Sequence, residues 1–145
     1  GVLVAHGDQG GGYSMYIENG ELHHVHNGYG TMTDVPCGEL AAGVSEIKLK
    51  VEASGDLMWN AKVYVDTSMV AETPDLPVLT AMAPFEGIDV GIDRRSPVSW
   101  PLYERHGPFP YKGSLISVTY VPGELAPDAG TRWIDLLRDS GVKYE

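Results

Sequence analysis

Residues 12–27 read GYSMYIENGELHHVHN, and their pattern decides the fold. Over residues 12–18 the side chains alternate. Tyr13, Met15 and Ile17 fall on one face, and Ser14, Tyr16 and Glu18 on the other, which is the period of a β-strand. Asn19-Gly20 follows, and this dipeptide favours the left-handed backbone of a type I′ turn, the tightest reversal compatible with strand twist. Residues 21–27 (ELHHVHN) return beside the first strand. The stretch is a β-hairpin, and a lone hairpin is marginal in water, so further strands must cover it.

The flanking sequence supplies them. Residues 2–6 (VLVAH) read as a strand, and residues 8–12 (DQGGG) as a glycine-rich turn or bulge. Residues 28–40 read as irregular, with a short strand near 31–35. Residues 44–53 (VSEIKLKVEA) and 59–66 (WNAKVYVD) alternate again, around a turn at 54–56. Residues 69–73 are an edge strand and 76–82 a short apolar run. Residues 84–111 are too polar and too broken by Pro and Gly for core. Residues 113–121 (GSLISVTYV), rich in β-branched side chains and ended by Pro122-Gly123, are the last strand. After a linker at 126–130, residues 131–140 (TRWIDLLRDS) are the one helix expected. Trp133, Ile134, Leu136 and Leu137 form its apolar stripe, Thr131 its N-cap and Gly141 its stop.

Many short strands at about ten-residue spacing predict an all-β fold, an antiparallel two-sheet sandwich of jelly-roll or concanavalin-like type. Residues 1–123 form the sandwich. Residues 124–145 are a linker and a helix packed on that sandwich or on a partner, with the apolar stripe as the interface.

Bulk composition excludes several function classes. At 145 residues and 43% apolar, the chain is one domain with a packable core. A net charge of −10 with scattered basic residues argues against nucleic acid and anionic membrane surfaces. No apolar run is long enough to span a bilayer, and no secretion signal opens the chain. Opening on GVLVA, already strand-like and without Met, is what a domain cut from a longer polypeptide gives. The single Cys37 excludes an internal disulfide.

Candidate chemistry is sparse. His24 and His26 share a strand face, with His23 opposite and His6 near if the first strand pairs beside the hairpin. Two histidines are short of the three or four ligands of a zinc site. Asp89 and Asp93, with Glu86, offer the hard oxygens calcium prefers, but Arg94 and Arg95 follow at once and suit ion pairs and loop order better. In the loop after them, Trp100, Tyr103, Glu104, Arg105, His106, Phe109 and Tyr111 place aromatic rings beside charged groups. With Arg94 and Asp93 they form a candidate ligand-binding set for a sugar or aryl group. No cofactor is called for.

Three stretches resemble the C-terminal domain of bacterial arylsulfatases. The first is GVLVAHGDQGGGYSMYIENGELHHVHNGYG, through Gly1, Val2, Leu3, Ala5, Gly7, Gly11, Gly12, Tyr13, Ser14, Tyr16, Gly20, Leu22 and Asn27. The second is DVGIDRRSPVS with its Tyr-rich sequel, at 89–111. The third is GSLISVTY, at 113–120. The likeness covers residues 1–123. It implies a sandwich that supports a separate α/β catalytic domain, which holds formylglycine and calcium and hydrolyses sulfate esters, in a bacterial cytoplasm or periplasm. None of that machinery has a counterpart here: Cys37 sits in PCGEL, not in the C/S-x-P-x-R context that formylglycine requires. The expectation is a non-catalytic accessory domain that docks on a sulfatase catalytic domain or on itself as a homodimer. The alternative is a lectin-like module that binds a carbohydrate or sulfated ligand through residues 100–111. A small enzyme in its own right ranks last, because no nucleophile is visible.

Overall fold

The computed structural model describes residues 1–79 and 86–142. The chain forms the expected all-β antiparallel sandwich of two sheets. Strands β1 (Val2–Asp8), β2 (Gly11–Glu18), β3 (Glu21–Gly28), β4 (Thr31–Glu39) and β8 (Ile88–Val90) make a five-stranded sheet ordered β4-β3-β2-β1-β8. Strands β5 (Ile47–Gly55), β6 (Met58–Val65) and β7 (Ser68–Pro77) make a three-stranded sheet. β1–β4 and β5–β7 each run as a meander, and the chain then returns from the three-stranded sheet to place β8 beside β1 at the far edge of the five-stranded one.

The opening hairpin forms with Tyr16 opposite His23 and Met15 opposite His24. Asn19 and Gly20 adopt φ of 53° and 88° at its turn, the two left-handed residues a type I′ turn requires. Gly7 faces Gly12 across β1 and β2, and a Cβ on Gly7 would stand 2.2 Å from the carbonyl oxygen of Gly11. Only glycine allows that approach at φ 115°.

The sequence reading understates β4. It runs nine residues through Pro36, which is tolerated because β4 is an edge strand and needs no inner N–H there. The expected strand at 113–121 pairs with none of the described residues. Among the described residues, none of positions 112–125 takes part in a strand or in a backbone–backbone hydrogen bond. Part of the expected run at 76–82 joins β7 as Leu76 and Pro77, and the remainder from 80 lies outside the described residues. A helix, α1 (Trp100–His106), stands where a loop was expected, and the C-terminal helix α2 spans Ala129–Val142.

The five-stranded sheet is buried on both faces. Toward the second sheet it places Leu3, Met15, Leu22 and Cys37 against Val63. Its other face carries Val2, Ala5, Tyr16 and Val25 and is covered by Val98 and Leu102 at the head of α1. Each fully buried aliphatic or aromatic side chain of this kind contributes about 1.5–3 kcal/mol. The face that carries Ser14 and Tyr16 is therefore core under α1, and both side chains have no solvent exposure. Asn27 is the polar node between the layers. Its amide donates to the carbonyls of Asp8, Gln9 and Val98, and its Oδ1 accepts from Gly30 N–H.

Candidate functional site

The candidate loop is built from β8 onward. Gly91 N–H donates to Leu3 C=O at 2.9 Å and ends β8 against β1. Asp89 Oδ2 accepts from Arg94 N–H at 2.8 Å, and Asp93 Oδ2 from Val98 N–H at 2.9 Å. These carboxylates close the DVGIDRRSPVS loop on itself. Asp93 is buried, and burial, with Asp89 and Glu86 nearby, pushes its carboxyl up to about 6. Arg95 makes an exposed ion pair with Glu86 at 3.5 Å.

The closed loop delivers the chain to α1. Ser99 has extended backbone, and its Oγ accepts from Leu102 N–H at 3.4 Å. Pro101 sits in the first turn, where its missing N–H costs nothing, and Gly107 at φ 63° ends the helix. Ser-x-Pro followed by Gly is a helix signal present in the sequence; the density of Pro and aromatic residues obscured it.

The helix sorts the candidate residues onto different faces. Leu102 is buried. Trp100, 44% exposed, stacks on Tyr103 with centroids 5.3 Å apart. Glu104 is exposed. Arg105 grips Glu18 on β2 with Nε and Nη2 at 3.2 and 3.3 Å, and sends Nη1 to Pro101 C=O. His106 also contacts the Glu18 carboxylate and stacks on Phe109 at 4.1 Å. His106 first and Arg105 next hold the Glu18 carboxyl below its ordinary range. Glu18 is thus the anchor of α1 on the sheet, a role that sequence reading missed because its partner Arg105 lies 87 residues away in the chain. Behind it, Tyr16 donates to Asp34 Oδ2 at 2.7 Å, His23 Nδ1 lies 3.0 Å from Asp34 Oδ1, and the two rings stack at 4.6 Å.

Tyr111 parts from this group. It packs with the cluster between the sheets, and its N–H donates to Gly91 C=O at 2.8 Å. Between it and α1 opens a cleft of about 590 Å³, lined by Ile17, His106, Phe109, Pro110, Tyr111 and Lys112 among others. Its walls are apolar and aromatic, with the Lys112 ammonium and the His106 ring at its border, a lining suited to a ring that bears an acceptor or anionic group. Of the expected ligand set, His106, Phe109 and Tyr111 reach the cleft. Trp100, Tyr103, Glu104, Arg105, Arg94 and Asp93 do not line it.

The histidines of β3 lie as the alternation predicts, His24 and His26 inward and His23 opposite. His26 Nε2 lies 3.0 Å from Pro77 C=O, and its ring meets Trp59 edge-on, so it joins the two sheets. His24 is buried with no partner for Nδ1, and burial lowers its pKa to about 4. His6 packs edge-on against Tyr13 and Tyr120. Among the described residues, no group of three His, Cys, Asp or Glu is placed to hold a metal. Cys37 is a buried thiol, and burial raises its pKa to about 11.

The beginning of α2 is tied to the sandwich. Asp128 Oδ2 accepts from Asp56 N–H at 2.9 Å and from Arg132 Nε at 3.1 Å, and Arg132 also pairs with Asp56 in the β5–β6 turn. The helix starts two residues before the expected Thr131 cap. Ile134 of the expected stripe is 57% exposed, and the side chains of Trp133, Leu136 and Leu137 lie outside the described ones. No described helix is long and apolar enough to cross a membrane. No family model matches the chain, and no curated protein and no solved structure matches it.

Proposed function

We propose that this chain is a non-catalytic accessory domain of the kind its arylsulfatase resemblance implies, docking beside a sulfatase catalytic domain or onto a second copy of itself. One observation carries the reading. Residues 113–123 are eleven consecutive uncharged residues with strand-like composition. They and their sequel nonetheless leave Ile116 96%, Val121 83% and Leu125 87% exposed. Large apolar side chains this exposed within one short segment mark an interaction surface. The burial and raised pKa of Cys37 further support the non-catalytic part, since a nucleophilic thiol needs an accessible, lowered-pKa setting.

The test is light scattering of the chain alone, then titration with an arylsulfatase catalytic domain from which its own C-terminal domain has been removed. Self-association or binding is expected, weakened at least tenfold by Ile116→Asp with Val121→Asp. A chain that stays monomeric and does not bind the catalytic domain refutes the reading.

A second reading, carbohydrate binding, is favoured by the half-exposed Trp100 ring stacked on Tyr103 and by the aromatic cleft beside His106. It predicts saturable binding of a sulfated or neutral oligosaccharide that is lost in Trp100→Ala or Tyr103→Ala. Binding indifferent to both substitutions removes it.

A further inference from the structure

The chain holds two Asn-Gly pairs, Asn19-Gly20 and Asn27-Gly28. In this dipeptide the asparagine side chain is open to attack by the following backbone nitrogen, because glycine has no Cβ to hinder the approach and its φ is free. The fold gives the two pairs opposite surroundings. Asn27 has no solvent exposure; its Nδ2 lies against the carbonyls of Asp8, Gln9 and Val98, and its Oδ1 accepts from Gly30 N–H. Asn19 and Gly20 are exposed at the tip of the β2–β3 hairpin. Bringing Asn19 Cγ onto Gly20 nitrogen needs only that the turn open, and such tips open at a free energy far below that of global unfolding. The same rotation at Asn27 has to break the buried joint.

We propose that Asn19 is a self-modification site, converted by water to aspartate and isoaspartate, and that the isoaspartyl form loosens α1. Gly20 nitrogen loses its proton to hydroxide and bonds to Asn19 Cγ. The Cγ–Nδ2 bond breaks, and the amide nitrogen leaves as ammonia. Water then adds to either carbonyl of the cyclic imide. Opening at Cγ gives aspartate. Opening at the main-chain carbonyl gives isoaspartate, in which the backbone runs through the former side chain and is one carbon longer. Water enters, ammonia leaves, and nothing is oxidised or reduced.

The consequence for α1 follows from what borders the turn. Glu18 faces Glu21 across it. The Glu18 carboxylate holds Arg105 Nε at 3.2 Å and also contacts His106. On the other side, Gly20 C=O accepts from Leu40 N–H at 2.9 Å. A two-residue turn with both residues left-handed fixes the register of the strands it joins. An added backbone carbon therefore shifts Glu18 against Glu21 and draws its carboxylate away from α1. His106 also lines the cleft, so the change reaches the cleft wall.

Incubating the full chain at pH 8 and mapping its peptides by mass spectrometry tests the site, with isoaspartate scored by enzymatic methylation. In the native chain Asn19 is expected to convert about tenfold or more faster than Asn27, and in urea the two pairs are expected to convert at similar rates, because only the fold separates them. Native conversion at Asn19 no faster than at Asn27 overturns the site. Hydrogen exchange of residues 100–106 tests the consequence. It is expected to quicken severalfold in the purified isoaspartyl form and to stay at the parent rate in Asn19→Asp, which adds the charge without lengthening the backbone. Exchange in the isoaspartyl form equal to that of the parent, or quickened to the same degree in Asn19→Asp, overturns the link between turn length and α1.

Discussion

Replacing Asn27 by Ala removes the node that joins three loops. The side chain has no solvent exposure. Its Nδ2 lies 3.3, 3.0 and 3.1 Å from the carbonyls of Asp8, Gln9 and Val98, and its Oδ1 accepts from Gly30 N–H at 2.7 Å. An amide has two hydrogens for those three carbonyls, so one is shared and the ledger counts three bonds. At about 1 kcal/mol net per bond, the loss is about 3 kcal/mol, a large share of the roughly 5–15 kcal/mol that holds a domain of this size. With a urea slope of about 2 kcal/mol per molar, the unfolding midpoint falls by about 1.5 M. Urea unfolding followed by circular dichroism measures it, with tryptophan fluorescence as a second probe, because Val98 C=O leads into α1 and Trp100. Asn27→Asp is expected to fare worse, since it retains the acceptor for Gly30 but loses every donor and buries a charge. A loss below about 1 kcal/mol for Asn27→Ala, or an Asp variant as stable as the parent, refutes the account of Asn27 as the joint.

Asp93 has a folded-state pKa of about 6 against an ordinary 3.8, so its neutral form is favoured in the fold. The cost of ionising it is absent below about pH 3.8 and complete above about pH 6, on the order of 2–3 kcal/mol. The stability of Asp93→Asn relative to the parent should therefore rise by that amount from pH 3.5 to pH 7.5, and a difference flat with pH sinks the argument. His24 is the mirror case: its pKa falls from 6.5 to about 4, so stability is full above pH 6.5 and is lost as pH falls toward 4. His24→Leu, which also removes the unpartnered Nδ1, should gain on the parent over that window in chemical unfolding, and an equal acid dependence of the two proteins would count against it. Cys37 should react with a disulfide reagent at least a hundredfold faster in urea than in the native state at pH 8, because the native thiol is buried and held protonated. Fast native labelling contradicts its placement.

Local chemistry made the hairpin legible. Asn19-Gly20 dictates the turn whatever surrounds it, and period-two alternation over 12–18 and 21–27 sets the faces, so the shared face of His24 and His26, with His23 opposite, followed from sequence. The β5–β6 pair followed in the same way. What alternation did not reveal is how many faces are covered. The alternation puts Ser14 and Tyr16 on one face but says nothing of α1, which lies on it. The ends of α1 were written locally in Ser99, Pro101 and Gly107, but its position depends on Glu18, 87 residues from Arg105 in sequence.

The sequence by itself determined the all-β class, the hairpin, the strand faces and the lack of a formylglycine context around Cys37, because each rests on contacts or preferences within a few residues. Only the tertiary structure decided that residues 113–121 pair with no other described strand, that Trp100 and Tyr103 part from His106 and Tyr111, and that Asn27 and Glu18 are joints. A strand is completed by hydrogen bonds from a neighbour distant in sequence, and strong β-propensity cannot substitute for a missing edge. Joints such as Asn27 arise only where loops far apart in the chain converge and their buried carbonyls need donors.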